Sequence, residues 1–529
     1  MLAAMYSSPS RACSTCAAAL MLCVLIACSG EDDDSQPDAA TSPEAGSSAG
    51  TGGHGGNAGV STGGIGGNAG GAGAGGSGGA GGSSGAAGSA GEGGESGMGG
   101  AEADGGVAPS ACALPAAIDE GVVWENTLHV AMDGADETGA GTEASPFASI
   151  GRALGSASPG TRVLVHAGTY GPFSAEGLAG EEQRPIGIIA DGTVVLEARG
   201  AQAIIGMTDP QYVVIDGFTL SGATVHGMNI DDGGTYETPA HHVVLRNLTI
   251  AAAGSGDNND CIKLSGVDDF WVLGSDVAGC DRGEIIDMVG CHRGVIAGNY
   301  FHDTIQNGVQ AKGGSSDTLI HGNRFENIPA RAVNAGGSTG LEFFRPIDAP
   351  HEAARISVIA NVFVNNGAMT GAAVAYVGCD GCVTAHNTII EPQSYVVRIL
   401  QESTDARFVP SREGVFVNNI IVLTPSALRA QLVNVGAGTA PETFTFGNNL
   451  WYAPAEGASW APNLGDVPDE SGSLVQMGPR LADIASGDYR LLSDSPARGA
   501  ARALTTDLPS DFDGRCYRDP AAVGAFEAP

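Results

Sequence analysis

Of the 24 basic residues in this chain only two are lysine, Lys263 and Lys312, and everywhere else the chain uses arginine. Arginine cannot give up a proton near neutral pH, whereas a lysine does so once desolvation or neighbouring charge lowers its pKa. A chain that keeps Lys where Arg is its habit has a use there for a group able to lose a proton. Both lysines lie in short alternating runs, Cys261-Ile262-Lys263-Leu264-Ser265 and Val309-Gln310-Ala311-Lys312-Gly313. With Ile262, Leu264, Val309 and Ala311 facing inward, both lysines face out. The same alternation turns Asp287 outward between Ile286 and Met288, and Asn334 outward between Val333 and Ala335. At a strand spacing of ~4.8 Å, Lys263, Asp287, Lys312 and Asn334 are expected to form one exposed file. The plain alternative is a solvated ladder of charge.

Two further groups stand near this file. Asp257-Asn258-Asn259-Asp260 is an oxygen-rich loop that, with Asp287 or Glu284, suits a hard cation such as Ca²⁺. No organic cofactor is expected. Directly after Asn334 comes an insertion, Leu341-Glu342-Phe343-Phe344-Arg345-Pro346, running on to His351. Phe343 and Phe344 suit stacking on sugar rings, and Arg345 suits a carboxylate clamp. A loop that merely covers the sheet is the alternative.

The elements that must position these residues are repeats. Two or three apolar residues followed by Asn recur at Asn247, Asn299, Asn323, Asn361, Asn387, Asn419 and Asn449, with Ser275 in the Asn place between the first two. Val213-Val214-Ile215-Asp216-Gly217 opens the series, and the steps run from 24 to 38 residues. Such a period with strand-like phrases marks a solenoid whose units bury their apolar faces against their neighbours. Short strands cornered by Gly and Asn, without ten-residue amphipathic runs, point to an all-β, right-handed single-stranded parallel β-helix of about 9–11 coils. Stacked at a corner, each Asn bonds the coils above and below and tolerates left-handed backbone.

Leu128 to Tyr170, with Ser145 as N-cap and Pro146 opening a short helix, resembles the capped entry of secreted β-helix proteins of the pectate-lyase-like superfamily. Phe147, Ile150 and Leu154 share a face of that helix, which protects the first coil from edge pairing. Asp511-Phe512-Asp513-Gly514 and Gly524-Ala525-Phe526-Glu527 resemble the closing segment of the same proteins. The fold hosts lyases, hydrolases, epimerases and non-enzymes.

Locally, Gln310-Ala311-Lys312, Gly322-Asn323-Arg324-Phe325, Arg331 and Asn334 resemble the catalytic coils of the alginate lyase and chondroitinase B family. That resemblance implies Lys312 as general base and Arg331, 19 residues on, as the acid or leaving-group stabiliser. The family places acidic calcium ligands just before its Lys. Here that stretch is Asn307-Gly308-Val309-Gln310-Ala311, so an ion would draw on Asp257, Asp260, Asp287 and Glu284 instead. A second resemblance, of Asp260-Cys261-Ile262 to the Asp-Asp-Cys-Ile motif of polygalacturonases, implies glycoside hydrolysis. Asn259 stands where that motif has its first Asp.

The remaining chain bounds location and partners. Residues 1–28 read as an export signal whose end, Leu25-Ile26-Ala27-Cys28, resembles a lipoprotein lipobox, which implies lipid attachment at Cys28. Residues 29–106, rich in Gly, Ala and Ser, read as a disordered tether, and 107–529 as the β-helix domain. From Val107 onward 49 acidic and 23 basic residues leave a net charge of −26, which argues against nucleic acid as a partner. Beyond Cys28 seven cysteines remain, so at least one stays unpaired, and Cys379-Asp380-Gly381-Cys382 suits a turn disulfide. The expectation is a monomeric, lipid-anchored surface protein that acts on extracellular polysaccharide, cleaving a uronate glycan by elimination. A non-catalytic glycan-binding adhesin is the alternative, and a polygalacturonase-like hydrolase the lesser one.

Overall fold

The computed structural model describes residues 112–529, apart from 235–238, 254–258 and 506–507. Cys28, the 29–106 tether and Asp257 lie outside the described residues. Besides a two-residue strand that three successive coils add (Ser315–Ser316, Ala353–Ala354, Cys379–Asp380), each central coil contributes three main strands. One precedes the recurring Asn (Val295–Ala297, Leu319–His321, Ser357–Ile359) and one follows it (Tyr300–His302, Arg324–Glu326, Val362–Val364). The third belongs to a separate parallel sheet of ten strands among the described residues, from Phe173–Glu176 to Val433–Val435. Successive coils pair in parallel, with register shifts only among the first ones of the described residues, as expected of a right-handed parallel β-helix, here of about 11 turns.

Alternation fills the interior. Phe301, Phe325 and Phe363 occupy the same position on successive coils and stack with ring centroids 5.4 and 4.9 Å apart. All three are fully buried. Such columns let each coil bury its neighbour's apolar face.

The asparagine corner is a continuous ladder. Asn299, Asn323, Asn361, Asn387, Asn419 and Asn449 are buried. The side-chain oxygen of each from Asn323 onward accepts from the backbone N–H and the amide of the Asn before it, as Asn361 does from Asn323 at 2.9 and 3.0 Å. Two details differ from the expectation. Asn247 is exposed and bonds Asp216 at 2.8 Å, because Leu248 rather than Asn247 holds the ladder register, donating its N–H to Ser275 at 3.1 Å. The left-handed backbone belongs to the residue before each ladder Asn, such as Ala360, His386 and Asn418 with φ of 57°, 55° and 59°. That leaves the Asn itself free for cross-coil bonding.

The entry helix is shorter than expected, Ile150–Leu154, capped by Ser149 rather than Ser145. Asp136 draws Ala148 N, Ser149 N and the Ser149 hydroxyl onto one carboxylate at 2.7–2.9 Å, which keeps Pro146 and Phe147 out of the helix. Phe147, Ile150 and Leu154 still pack into the core. At the other end the C-terminal segment lies on the coils through Tyr489, Val523 and Phe526. His321 and His386 face the carbonyls of Ser510 and Ala522 at 2.7 and 2.9 Å, so both are structural. Disulfides join Cys112 to Cys516, Cys261 to Cys280 and Cys379 to Cys382, and Cys291 is buried and unpaired.

Candidate functional site

The lysine-bearing strands Ile262–Ser265 and Val309–Lys312 belong to the ten-stranded sheet, with Ile286–Val289 between them. Register sets the outward file as Lys263, Asp287, Gln310, Asn334. Gln310, not Lys312, holds the third place. Lys312 stands two residues further along, opposite Val289. Both lysines still reach Asp287. Lys263 Nζ bonds one of its oxygens, and Lys312 Nζ lies 3.2 Å from the other. Nor is the file exposed throughout. Asp287 and Asn334 are buried, capped by the long side chains on neighbouring rungs.

Around Asp287 the carboxylates gather. Asp260, Glu284 and Asp287 place one oxygen each within 4.8 Å of one another. Asp260 accepts the Glu284 N–H at 2.9 Å, and its other oxygen lies 3.5 Å from Lys263 Nζ and 3.7 Å from His226 Nδ1. Burial, then the charges of Asp287 and Asp260, push Glu284 up to about 8. Burial alone would lower Lys263, but Asp287 and Asp260 hold its ammonium above the ordinary lysine value.

The triad suits a hard divalent cation. Its donors are oxygens, and among the described residues the buried Asp260 Oδ2 and Asp287 Oδ1 meet ion-pair partners at 3.2–3.7 Å but accept no well-aligned hydrogen bond. Lys263 stands among the same oxygens, so an ion bound there competes with its ammonium.

Beside the two lysines opens a cleft of about 500 Å³, lined also by Asp231, Ser265, Phe343 and Arg345. The insertion supplies its outer wall. Glu352, fully buried, accepts from Gly313 N and Thr339 N (both 3.0 Å), Thr339 Oγ1 (2.8 Å) and Ser403 Oγ, and so ties the insertion to the coil beneath. Phe343 is 60% exposed at the cleft. Phe344 is instead fully buried, packed against Phe408 (5.2 Å) and under Arg407 (4.4 Å), and offers no stacking surface. Arg345 lines the cleft but clamps Asp268 with two bonds of 2.5 and 3.0 Å. Burial would raise Asp268, yet Arg345 holds its carboxyl below the usual range. The expected carboxylate clamp is thus engaged internally.

Arg331 lies on the coil after Lys312 but not beside it. Lys312 falls opposite the Gly336 position, five residues along the strand, about 16 Å at 3.3 Å per residue. The expected convergence of Lys312 and Arg331 in one cleft is therefore absent. Arg331 bonds Asn334 Oδ1 at 3.2 Å and Glu402 at 2.7 Å in a second cavity of about 390 Å³, and the two cavities meet at Ser338.

Sequence reasoning missed Gln310, Asn307, His226, Glu352, Arg398 and Glu402. Asn307 Nδ2 bonds both Glu284 (3.1 Å) and Gln310 (2.9 Å), and Asn334 Nδ2 bonds Gln310 (2.9 Å), which wires the triad to the Arg331 cavity. Counting coil by coil from Lys263 would have found Gln310. Nothing local in the sequence marks the others.

No family model matches the chain, and no curated protein matches it. Solved structures do. The pectate lyase Pel9A is 13% identical over 78% of this chain and 99% of its own, with a TM-score of 0.50. An alginate lyase from Paenibacillus sp. is 17% identical over 66% and 99% (TM-score 0.37). The Streptococcus pneumoniae surface protein and adhesin PfbA is 10% identical over 59% and 87% (TM-score 0.35). The 112–529 body has a right-handed parallel β-helix fold, the fold it shares with pectate lyase Pel9A.

Proposed function

We propose that this protein is an exported polysaccharide lyase, tethered to a membrane surface through a lipid on Cys28, that cleaves a uronate-containing glycan by β-elimination. One observation carries the reading. The chain's only two lysines converge on one buried carboxylate, Asp287, and both line the same cleft.

The two lysines divide the work. Lys263, set between Asp287 and Asp260, stays charged. Lys312 meets the triad through a single oxygen of Asp287 and takes the role of base. As a free amine it removes the proton from the sugar carbon that bears the carboxylate. The electron pair forms a double bond to the adjacent carbon, whose bond to the glycosidic oxygen breaks. That oxygen takes a proton from solvent, and Lys312 returns its own to solvent. Phe343 supplies an exposed ring at the cleft for a sugar face. With the Lys263 ammonium drawn aside, Asp260, Glu284 and Asp287 would hold Ca²⁺, which would supply positive charge near the substrate carboxylate.

A second reading, glycan binding without cleavage, is favoured by the Lys312–Asp287 ion pair, which engages the amine within the protein. Incubating the protein with a panel of uronate polymers, with and without Ca²⁺, and following the absorbance of the unsaturated product separates the readings. Elimination raises that absorbance. Hydrolysis yields reducing ends without it, and pure binding yields neither.

A further inference from the structure

We propose that the cavity around Arg331 and Arg398 is a binding subsite for the carboxylate of a second uronate unit of the same polymer, several sugars from the bond that is cut. The inference rests on the uronate reading above. It uses residues that reading leaves idle.

Arg398 continues the outward file. Its strand, Tyr395–Leu400, pairs with Ala372–Val377, which pairs with Arg331–Gly336, so the file runs Lys263, Asp287, Gln310, Asn334, Ala375, Arg398. The small Ala375 leaves space over which the arginine from the next rung can lean. Arg398 donates to Asn434 Oδ1 at 2.9 Å and to the Thr370 carbonyl at 3.0 Å, and among the described residues it pairs with no carboxylate. Glu402, the one acidic residue lining the cavity, is taken by Arg331 at 2.7 Å. Two arginines against one carboxylate leave a surplus positive charge in a body whose net charge is strongly negative. Burial, then the like charge of Arg331, draw Arg398 below the ordinary arginine value, so a second anion there relieves both. Asn307, Gln310 and Asn334 line the same cavity and offer amides to sugar hydroxyls.

Position fits a polymer lying along the solenoid axis. Lys312 and Arg398 stand three rungs apart, roughly 14 Å along the axis at the strand spacing, with a two-residue offset of about 7 Å across it. The two cavities meet at Ser338, so a chain leaving the lysine cleft enters the arginine one directly. Planar, bidentate recognition by arginine favours a carboxylate.

The test measures binding by titration calorimetry on Lys312→Ala protein, using uronate oligosaccharides of increasing length and carboxyl-reduced counterparts. Affinity is expected to rise about tenfold once the oligosaccharide is long enough to reach Arg398. Carboxyl reduction and Arg398→Ala should each abolish that step, and Arg398→Lys should restore part of it. Glu402→Gln, which frees Arg331, should tighten binding several-fold and serves if Arg398→Ala does not fold. A length profile unchanged by both Arg398→Ala and Glu402→Gln overturns the subsite. In the otherwise unmodified protein, Arg398→Ala should raise KM about tenfold with kcat within twofold. Elimination with an unaltered KM sinks the subsite alone. Binding that depends on Arg398, with no unsaturated product, sinks the lyase reading alone.

Discussion

Two columns of stacked residues run along this solenoid, and they are built in opposite ways. At the corner, Asn299 to Asn449 repeat one residue type, each buried and each satisfied by its neighbours. On the ten-stranded sheet the file from Lys263 to Arg398 changes chemistry at each rung, and at its start Asp287 Oδ1 and the neighbouring Asp260 Oδ2 meet only ion-pair partners, with no well-aligned hydrogen bond among the described residues. Repetition solves a structural problem once and copies the solution. A column that refuses to repeat holds poorly satisfied polar groups in reserve for something else to bind.

The comparison can be broken at either column. Lys312→Met should cut kcat on a uronate polymer by ~10²–10⁴-fold, the range for loss of a general base, while the melting temperature stays within a few degrees. An unchanged kcat would move the base elsewhere. In the ladder the effects should reverse. Asn361→Ala strips acceptors from Asn323 and a donor from the Ile320 carbonyl, all buried. It should cost about 3 kcal/mol in denaturant unfolding, from groups left unsatisfied, with activity per folded molecule preserved.

A smaller, pH-dependent effect should also fall on the corner side. Burial lowers His386 from 6.5 to about 4, so the unfolded chain binds a proton there that the folded chain refuses. Stability from this site is complete above pH 6.5 and declines as pH drops toward 4. Thermal melts of His386→Asn should show a shallower decline over that window, and parallel curves would remove His386 as a cause. Smallest of all, Phe343→Ala should raise KM a few-fold, since it strips an exposed ring from the cleft without disturbing packing. Phe344→Ala, one residue on, should instead destabilise by about 3 kcal/mol or more, as expected for a buried Phe. Equal effects at both would contradict the division of the two rings.

The periodic column was readable from the sequence and the aperiodic one only in part. Apolar phrases ending in Asn announce the solenoid because a repeating environment imprints a repeating residue. Alternation placed Lys263 and Asp287 on the correct face, yet it treats each strand alone and cannot set the phase between coils. Coil lengths of 24, 23 and 24 residues between the paired Ile262, Ile286, Val309 and Val333 put Gln310 in the file and Lys312 beside it. Arg398 and Glu402 lie beyond the coil that carries the insertion, where counting from Lys312 fails. Phe343 and Phe344 read alike in sequence. Only the packing of Phe408 and Arg407 separates them.

The corner ladder also has ends, and both are serine. Ser275 accepts the Leu248 N–H and turns its hydroxyl to the Leu273 carbonyl, and at the far side Ser473 accepts the Asn449 N–H at 3.1 Å. Because each oxygen faces back to the Asn before it, the row presents N–H donors toward its far end, and each calls for one more acceptor. A rotatable hydroxyl ends the row with a group that can point its proton back into its own coil. The two serines thus close the ladder at both ends with a single hydroxyl where its inner rungs carry a whole amide.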